Sequence, residues 1–266
     1  MHETTTDERL IHTEHGRLYA KHWRAASAAK NDRAPIVLLH DSLGCVELWR
    51  DFPQRLAEAT DRDVVAYDRL GFGRSDPNPI KLDRQFIHAE ADHGFRALIK
   101  NLHIGKFILF GHSVGGGMAV GCAARWSAAC QALITESAQA FVEDRTVQGI
   151  RTARTAFAEP GQLDRLKKYH GDKAAWVLSA WIDTWLADDF AGWNLDDLLR
   201  QVHCPTLAIH GDQDEYGSVA HPQRIAGLVA GPATLRILDA CGHVPHKERA
   251  DTVLADVATW LQRAGG

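Results

Sequence analysis

The stretch Phe110-Gly111-His112-Ser113-Val114-Gly115-Gly116-Gly117 lies near the middle of this 266-residue chain. It contains Gly-x-Ser-x-Gly, preceded by an apolar run at residues 107–110 and followed by a small-residue helical stretch at residues 115–126. Between a strand and a helix, this motif predicts a strained turn that exposes the serine hydroxyl above a sheet edge. The two flanking glycines are predicted to leave room for neighbouring chain, and the helix amides would face developing negative charge. Ser113 is therefore the predicted nucleophile.

Working outward from this turn, apolar runs of strand length alternate with helical stretches. This pattern indicates an α/β fold with a mostly parallel sheet flanked by helices. Buried strands are predicted at residues 35–40, 63–67, 107–110, 132–135, 206–210 and 234–238. Helices are predicted at residues 49–59, 84–102, 115–126 and 251–261. The alternating segments 9–13 and 17–23 predict an antiparallel hairpin around His15-Gly16, which completes eight strands.

Residues 138–201 interrupt this alternation. They contain no strand-like run but hold four of the eight tryptophans, which are Trp176, Trp181, Trp185 and Trp193. We predict a helical cap over the carboxyl edge of the sheet, which divides the chain into a core (1–137 and 202–266) and a cap (138–201). Trp181 and Trp185 are four residues apart and would share one helix face. These two are the predicted substrate-binding side chains.

A serine nucleophile needs a base, and the base needs an orienting acid. Among fifteen histidines, His243 stands out because it follows the last strand and precedes the final helix. His246 is the competitor, but His243 directly follows the strand-end glycine. The acid should end an earlier strand, and Asp214 is preferred there over Asp212. The chain order serine, acid, base is the one expected of this kind of fold.

The loop at residues 40–44 follows the first buried strand and would border the nucleophile. A backbone amide from this loop, assigned to Ser42, and the amide of Val114 are the predicted oxyanion hole. The reaction would proceed through an acyl-enzyme, which water then cleaves under the same base. No metal and no cofactor are required by this mechanism.

Bulk properties restrict the class of partner. The net charge is −4 with a pI near 6.4 and no basic run, which argues against nucleic-acid or membrane-surface binding and favours a small-molecule substrate. The first eight residues lack the basic and apolar segments of a secretory signal, so a cytoplasmic location is expected.

The five cysteines are odd in number and lack a Cys-x-x-Cys pair, which argues against a disulfide framework and structural zinc. The sequence does not determine the oligomeric state, and a homodimer is possible.

From about Leu10 to its end, the chain resembles the α/β-hydrolase superfamily. Ser113, Asp214 and His243 match the nucleophile, acid and base of that superfamily. Residues 68–76 are similar to the loop typical of its small capped members, which include carboxylesterases, meta-cleavage-product hydrolases, proline iminopeptidases and cofactor-free haloperoxidases. One departure is His40-Asp41, where the oxyanion loop usually reads His-Gly.

The resemblance implies a serine hydrolase, with a small or medium, largely apolar carboxylic ester as the first choice of substrate. The first alternative is a carbon–carbon bond hydrolase of the meta-cleavage type. A second alternative, from another class, is a non-catalytic ligand-binding protein on the same fold. Serine at the turn argues against epoxide hydrolases and haloalkane dehalogenases, which carry aspartate there. The Gly-Gly-Pro-Gly loop usual in proline iminopeptidases is absent.

Overall fold

A computed structural model describes residues 5–26 and 33–264 of the chain. Most of the alanine-rich stretch 25–29, which the sequence predicts to be a loop, lies outside the described residues. Eight strands form one sheet. They are β1 (Thr5–Thr13), β2 (Gly16–Arg24), β3 (Ile36–Leu39), β4 (Val64–Tyr67), β5 (Phe107–His112), β6 (Cys130–Glu136), β7 (Thr206–Gly211) and β8 (Ala233–Leu238).

The strands lie in the order β1-β2-β4-β3-β5-β6-β7-β8. Strand β2 runs antiparallel to both β1 and β4, and the remaining neighbours are parallel. The predicted hairpin and the mostly parallel eight-stranded sheet are therefore confirmed. Strand β5 is central, and all six of its residues are buried. A motif that follows β5 is thus presented at the middle of the carboxyl edge of the sheet.

Helices cover both faces of the sheet. They are α1 (Phe52–Thr60), α2 (Phe86–Ala89), α3 (Gly94–Asn101), α4 (Val114–Arg125), α5 (Asp144–Phe157), α6 (Gln162–His170), α7 (Ala174–Trp185), α8 (Asp196–Leu199), α9 (Ala220–Leu228), α10 (Pro245–Glu248) and α11 (Ala250–Arg263). Because side chains alternate along each strand, two apolar layers form. Leu109 faces the layer that contains Phe95, and Phe110 faces the layer that contains Phe52.

The chain between β6 and β7 contains helices α5 to α8 and no named strand. It does contain one isolated antiparallel bridge between Phe141 and Asn194. The helical character predicted for this insertion is confirmed, whereas its division from the core as a separate cap stays a prediction. Across the described ranges 5–26 and 33–264, no helix has both the length and the apolarity needed to cross a membrane.

The single helix predicted over residues 84–102 is wrong, because the structure breaks it into α2 and α3. Between the two helices, the carboxylate of Glu90 turns inward and accepts a hydrogen bond of 2.6 Å from the hydroxyl of Tyr67. A side chain at Gly94 would clash with this carboxylate, since an added Cβ would lie 2.2 Å from Glu90 Oε1. The long-range contact with Tyr67 thus takes precedence over the local helical spacing.

Two further differences arise at the end of the sheet. Strand β8 is predicted as a buried run, but it is an edge strand of which only Leu238 is buried. Helix α9 was not predicted, because Pro222 and Gly227 lower the helical propensity of its sequence. Its formation depends on packing against β7 and β8, which a local pattern does not reveal.

Candidate active site

Ser113 occupies the turn between β5 and α4. Its φ of 55° and ψ of −126° place a non-glycine residue in a strained region of backbone space. A Cβ at Gly111 would lie 2.2 Å from the carbonyl oxygen of Gly115, and a Cβ at Gly115 would lie 2.2 Å from that of Leu39. The predicted turn and the predicted reason for both glycines are therefore confirmed.

The structure brings Ser113, His243 and Asp214 into one hydrogen-bonded line. The Nε2 atom of His243 lies 3.0 Å from Ser113 Oγ, and its Nδ1 atom lies 2.9 and 2.8 Å from the two carboxylate oxygens of Asp214. Because a carboxylate only accepts hydrogen bonds, Nδ1 carries the proton and Nε2 is free to accept from the serine hydroxyl. A serine activated by a neighbouring base requires this tautomer.

Asp214 is held as a buried carboxylate. Burial favours its neutral form, but the hydrogen bond and the charge of His243 outweigh burial and lower the pKa of Asp214. The amides of Tyr216 and Gly217 also donate to Oδ1, at 2.8 and 3.2 Å. The carboxylate is thus ionised and fixed in orientation.

The two competing residues take other partners. His246 is buried, and its Nδ1 lies 2.5 Å from the carboxylate of Glu136. Asp212 is exposed, and its carboxylate accepts from the amide of Cys241 at 3.3 Å. Neither residue has a hydrogen bond to Ser113 or His243 among the contacts of the described chain.

The oxyanion-hole prediction concerns backbone amides on either side of Ser113. Val114 begins α4, so its amide has no partner within that helix. In the loop after β3, the amides of Leu43 and Gly44 donate to the side chain and the carbonyl of Asp41. Within residues 5–26 and 33–264, the amides of Ser42 and Val114 donate to no protein acceptor. Both amides are therefore available to a ligand.

An ion pair between the buried His112 and the partly exposed Asp41 connects the loop of Ser42 to that of His243. His112 Nδ1 lies 3.4 Å from the Asp41 carboxylate, and its Nε2 donates to the carbonyl oxygen of His243 at 2.8 Å. Burial disfavours the charged imidazole, but the hydrogen bond with Asp41 and the charges of Asp41 and Glu136 raise the pKa of His112 overall. Asp41 is not among the described residues with positive φ, so this departure from His-Gly needs no left-handed backbone conformation.

This ion pair makes stability depend on pH in a definite direction. A raised pKa for His112 contributes stability below the unfolded value of about 6.5, and this contribution is lost as pH rises through the folded pKa. The pKa of Asp41 is lowered, because the hydrogen bond and charge of His112 overcome burial. Its contribution is present above about pH 4, the unfolded value, and is lost as pH falls through the folded pKa.

We therefore expect Asp41→Asn to lower the free energy of unfolding by on the order of 1 kcal/mol between about pH 4 and about pH 6.5, and by less above that range. Urea denaturation at about pH 5 and about pH 9 measures the difference. Asp172→Asn is the matched control, because Asp172 is exposed and makes no side-chain hydrogen bond in the described chain. A deficit for Asp41→Asn that does not shrink at the higher pH would contradict the ion pair.

Comparison with known proteins is consistent with this geometry. Residues 36–257 match the model of the alpha/beta hydrolase family. The chain belongs to that family. It is similar to the serine hydrolase BPHL of Mus musculus, with 28% identity over 234 residues, which covers 85% of this chain and 79% of the relative. It is also similar to a non-heme haloperoxidase of Rhodococcus erythropolis, with 26% identity over 228 residues, which covers 75% of this chain and 82% of the relative.

Among solved structures, a membrane phospholipase A described as a bacterial virulence factor superposes with a TM-score of 0.78. The match covers 98% of this chain and 87% of that chain, at 18% identity. At that identity the likeness shows a shared fold alone. The names of these proteins state different activities. The substrate of this hydrolase therefore has to be inferred from its own site.

The candidate active site of this hydrolase opens into a small cavity of about 120 Å³. The core contributes Ser113, Tyr216, His243 and the loop at residues 41–43, and the insertion contributes Gln139, Thr146, Ile150, Trp181 and Trp185. Both predicted tryptophans therefore border the space above the serine. A larger, open groove of about 470 Å³ lies against residues 81–85 and another face of α7, but Ser113 does not line it.

The sequence did not single out Gln139, whose side-chain oxygen lies 3.4 Å from Ser113 Oγ. It follows the carboxyl end of β6, the strand next to β5, so the rule that functional residues follow parallel strands could have found it. Tyr216 was also missed, and its ring lies 4.8 Å from that of His243. Both side chains add polar groups to a cavity that is otherwise mainly apolar.

One buried group near the site has the residue types of a metal ligand set. His112, Glu136 and His246 each place a ligand atom within 4.8 Å of the others. Both nitrogens of His112 are already engaged, with Asp41 and with the carbonyl oxygen of His243. A metal there would have to break the ion pair that joins the two loops. A chelator control is accordingly part of the activity tests below.

Proposed function

We propose that this alpha/beta hydrolase cleaves a small or medium, largely apolar carboxylic ester through an acyl-enzyme on Ser113. The observation that carries the proposal is the continuous hydrogen-bonded line from Ser113 Oγ through His243 to Asp214, which faces a small cavity. A serine in this setting is a nucleophile toward carbonyl carbon. The substrate is a small molecule.

In the proposed mechanism, His243 Nε2 takes the proton of Ser113 as Oγ attacks the ester carbonyl. The amides of Ser42 and Val114 donate to the oxyanion of the tetrahedral intermediate. The protonated His243, stabilised by Asp214, then gives its proton to the leaving alkoxide. Water attacks the acyl-enzyme with His243 again as the base, and the carboxylic acid leaves.

The cavity walls support a limited acyl size. Trp181 and Trp185 lie on one face of α7, and Ile150 of α5 adds a third apolar wall. At about 120 Å³ the space is well below that of a typical ligand pocket, which is roughly 300–1,000 Å³. We infer that the insertion acts as a lid whose tryptophans bound the acyl chain.

A fluorophosphonate probe tests the proposal, because it reacts covalently with an activated serine. We expect labelling of one site, mapped to Ser113 by peptide mass, and protection by a short-chain ester. A p-nitrophenyl ester series from acetate to decanoate should then show highest kcat/KM among the short and medium chains. No labelling of the folded protein would favour the non-catalytic ligand-binding alternative.

Substitution of the tryptophans separates a pocket wall from a core side chain. Trp181 is half-buried and contacts Tyr216, so Trp181→Ala should widen the cavity and raise kcat/KM for octanoate relative to acetate by about 10-fold. Trp185 is buried against Phe190 and Trp193, so Trp185→Ala should lower Tm by on the order of 10 °C.

Trp176→Ala is the matched control on the same helix. Its indole contacts Phe72 and donates to the carbonyl of Ile80, and it does not line the small cavity. We expect it to leave the chain-length profile unchanged. A folded Trp181→Ala variant with the wild-type profile would remove Trp181 from the acyl pocket.

A further inference from the structure

Two of the five cysteines face each other at the sheet edge opposite the candidate active site. Cys130 is the first residue of β6, and Cys204 lies two residues before β7. These strands are parallel neighbours, and the two sulfur atoms are 3.7 Å apart. Ser113 and Asp214 follow the opposite ends of strands in the same sheet. The hydrolytic mechanism therefore has no use for this pair.

The two thiols differ in exposure and in acidity. Cys130 is buried, and its thiol also lies 3.5 Å from the carbonyl of Ala132. Cys204 is partly exposed. Their mutual hydrogen bond, together with burial, raises the pKa of Cys130, and the same hydrogen bond lowers the pKa of Cys204. Cys204 is thus the more exposed residue of the pair and has the lower thiol pKa, and the sulfur of Cys130 lies 3.7 Å from its own.

The other three cysteines lack these properties. Cys45, Cys122 and Cys241 are buried, and burial raises the pKa of each thiol. Within the described chain, none of them has a sulfur–sulfur contact with another cysteine. Since thiolate character and access govern oxidation by peroxide, reaction should be selective for Cys204.

We propose that Cys130 and Cys204 form a reversible disulfide, a redox modification site remote from Ser113. With hydrogen peroxide as the oxidant, the Cys204 thiolate attacks a peroxide oxygen, the O–O bond breaks, and a sulfenic acid forms as hydroxide takes up a proton to give water. The Cys130 sulfur then attacks the Cys204 sulfur, the S–O bond breaks, and a second water leaves with the thiol proton. Two thiols and one peroxide thus give one disulfide and two waters.

The cross-link would close a loop that spans the whole helical insertion. Cys130 and Cys204 are 74 positions apart, and helices α5 to α8 lie between them. A disulfide restricts the unfolded chain, and the effect grows with the length of the loop it closes. A disulfide bond is about 2 Å long, so the two sulfurs need only approach each other between strands that are already paired. Oxidation should therefore stabilise the protein with little effect on the site at the other edge.

Mass spectrometry of the full-length chain tests the proposal directly. After one equivalent of hydrogen peroxide, we expect the intact protein to lose two hydrogen atoms, and non-reducing digestion to link the peptides of Cys130 and Cys204. Thermal unfolding of the oxidised protein should occur on the order of 10 °C higher, and dithiothreitol should reverse both changes.

Cys204→Ser and Cys130→Ser should each abolish the loss of two hydrogens and the rise in Tm, whereas Cys45→Ser should retain both. Cys204→Ala serves as a second variant if serine perturbs the fold. Wild-type protein that gains oxygen atoms without linking these two peptides would overturn the proposal. Linkage to Cys45, Cys122 or Cys241 instead would also overturn it.

Discussion

Ser113→Ala is expected to reduce kcat for a short-chain p-nitrophenyl ester by about 10⁴- to 10⁶-fold, the range found when a member of a serine-histidine-aspartate triad is removed. The hydroxyl is the only part of the triad that forms a bond to substrate in the proposed mechanism. Alanine fits the same buried position, so the fold should persist. Initial rates measured beside circular dichroism and Tm would separate loss of chemistry from loss of structure.

Ser137 supplies a closely matched control. It also follows a parallel strand, has a positive φ of 48° and is buried, but its hydroxyl has no hydrogen-bond partner among the described residues. Ser137→Ala should retain activity within a few-fold of the wild type. The wild-type rate should also be indifferent to EDTA. Turnover by Ser113→Ala at close to the wild-type rate would show that another group performs the reaction.

Asp214→Asn is expected to lower kcat by about 10⁴-fold, because a carboxamide can present a donor to Nδ1 and stabilise the wrong tautomer of His243. In the wild-type protein both carboxylate oxygens of Asp214 lie within 2.9 Å of His243 Nδ1, and the Asp214 side chain is fully buried. Steady-state kinetics on the same ester would give the size of the loss, provided that Tm confirms folding.

Asp212→Asn is the control two residues earlier in the same loop. Within the part of the chain that the structure describes, its exposed carboxylate accepts a hydrogen bond only from the amide of Cys241, so the change should lower kcat by less than about 10-fold. If Asp212→Asn were the more damaging substitution, the acid would be misassigned. Equal, mild losses for both variants would argue that His243 needs no orienting carboxylate.

The sheet and the central turn were predictable because they depend on local signals. Residues 107–110 of the strand before Ser113 are continuously apolar, and the glycines of the motif are required because neighbouring backbone leaves no room for a Cβ. Asp214 and His243 could be proposed as the acid and the base because the strands that precede them could be recognised, which reduced fifteen histidines to two candidates. The distances among Ser113, His243 and Asp214 could be obtained only from the structure.

The remaining features were not predictable because they depend on contacts between distant segments. The ion pair between Asp41 and His112 spans 71 positions, and neither the loop of Asp41 nor the motif that contains His112 indicates that the two side chains meet. The position of Gln139 after β6 could have suggested a functional residue, but its contact with Ser113 depends on β6 lying beside β5. The break between α2 and α3 reflects a buried contact of Glu90 with Tyr67 on another element. The spacing of apolar residues within one segment carries no information about which distant residues will contact it.

The strained backbone at Ser113 has a consequence for how the sequence can change. A non-glycine residue in such a conformation costs of order 1–3 kcal/mol, against a total stability of about 5–15 kcal/mol for a typical domain. Glycine at this position would relieve most of that cost while removing the reactive oxygen. Selection for thermal robustness alone would thus drive this position away from serine. A stabilised variant obtained without an activity screen should be sequenced first at codon 113.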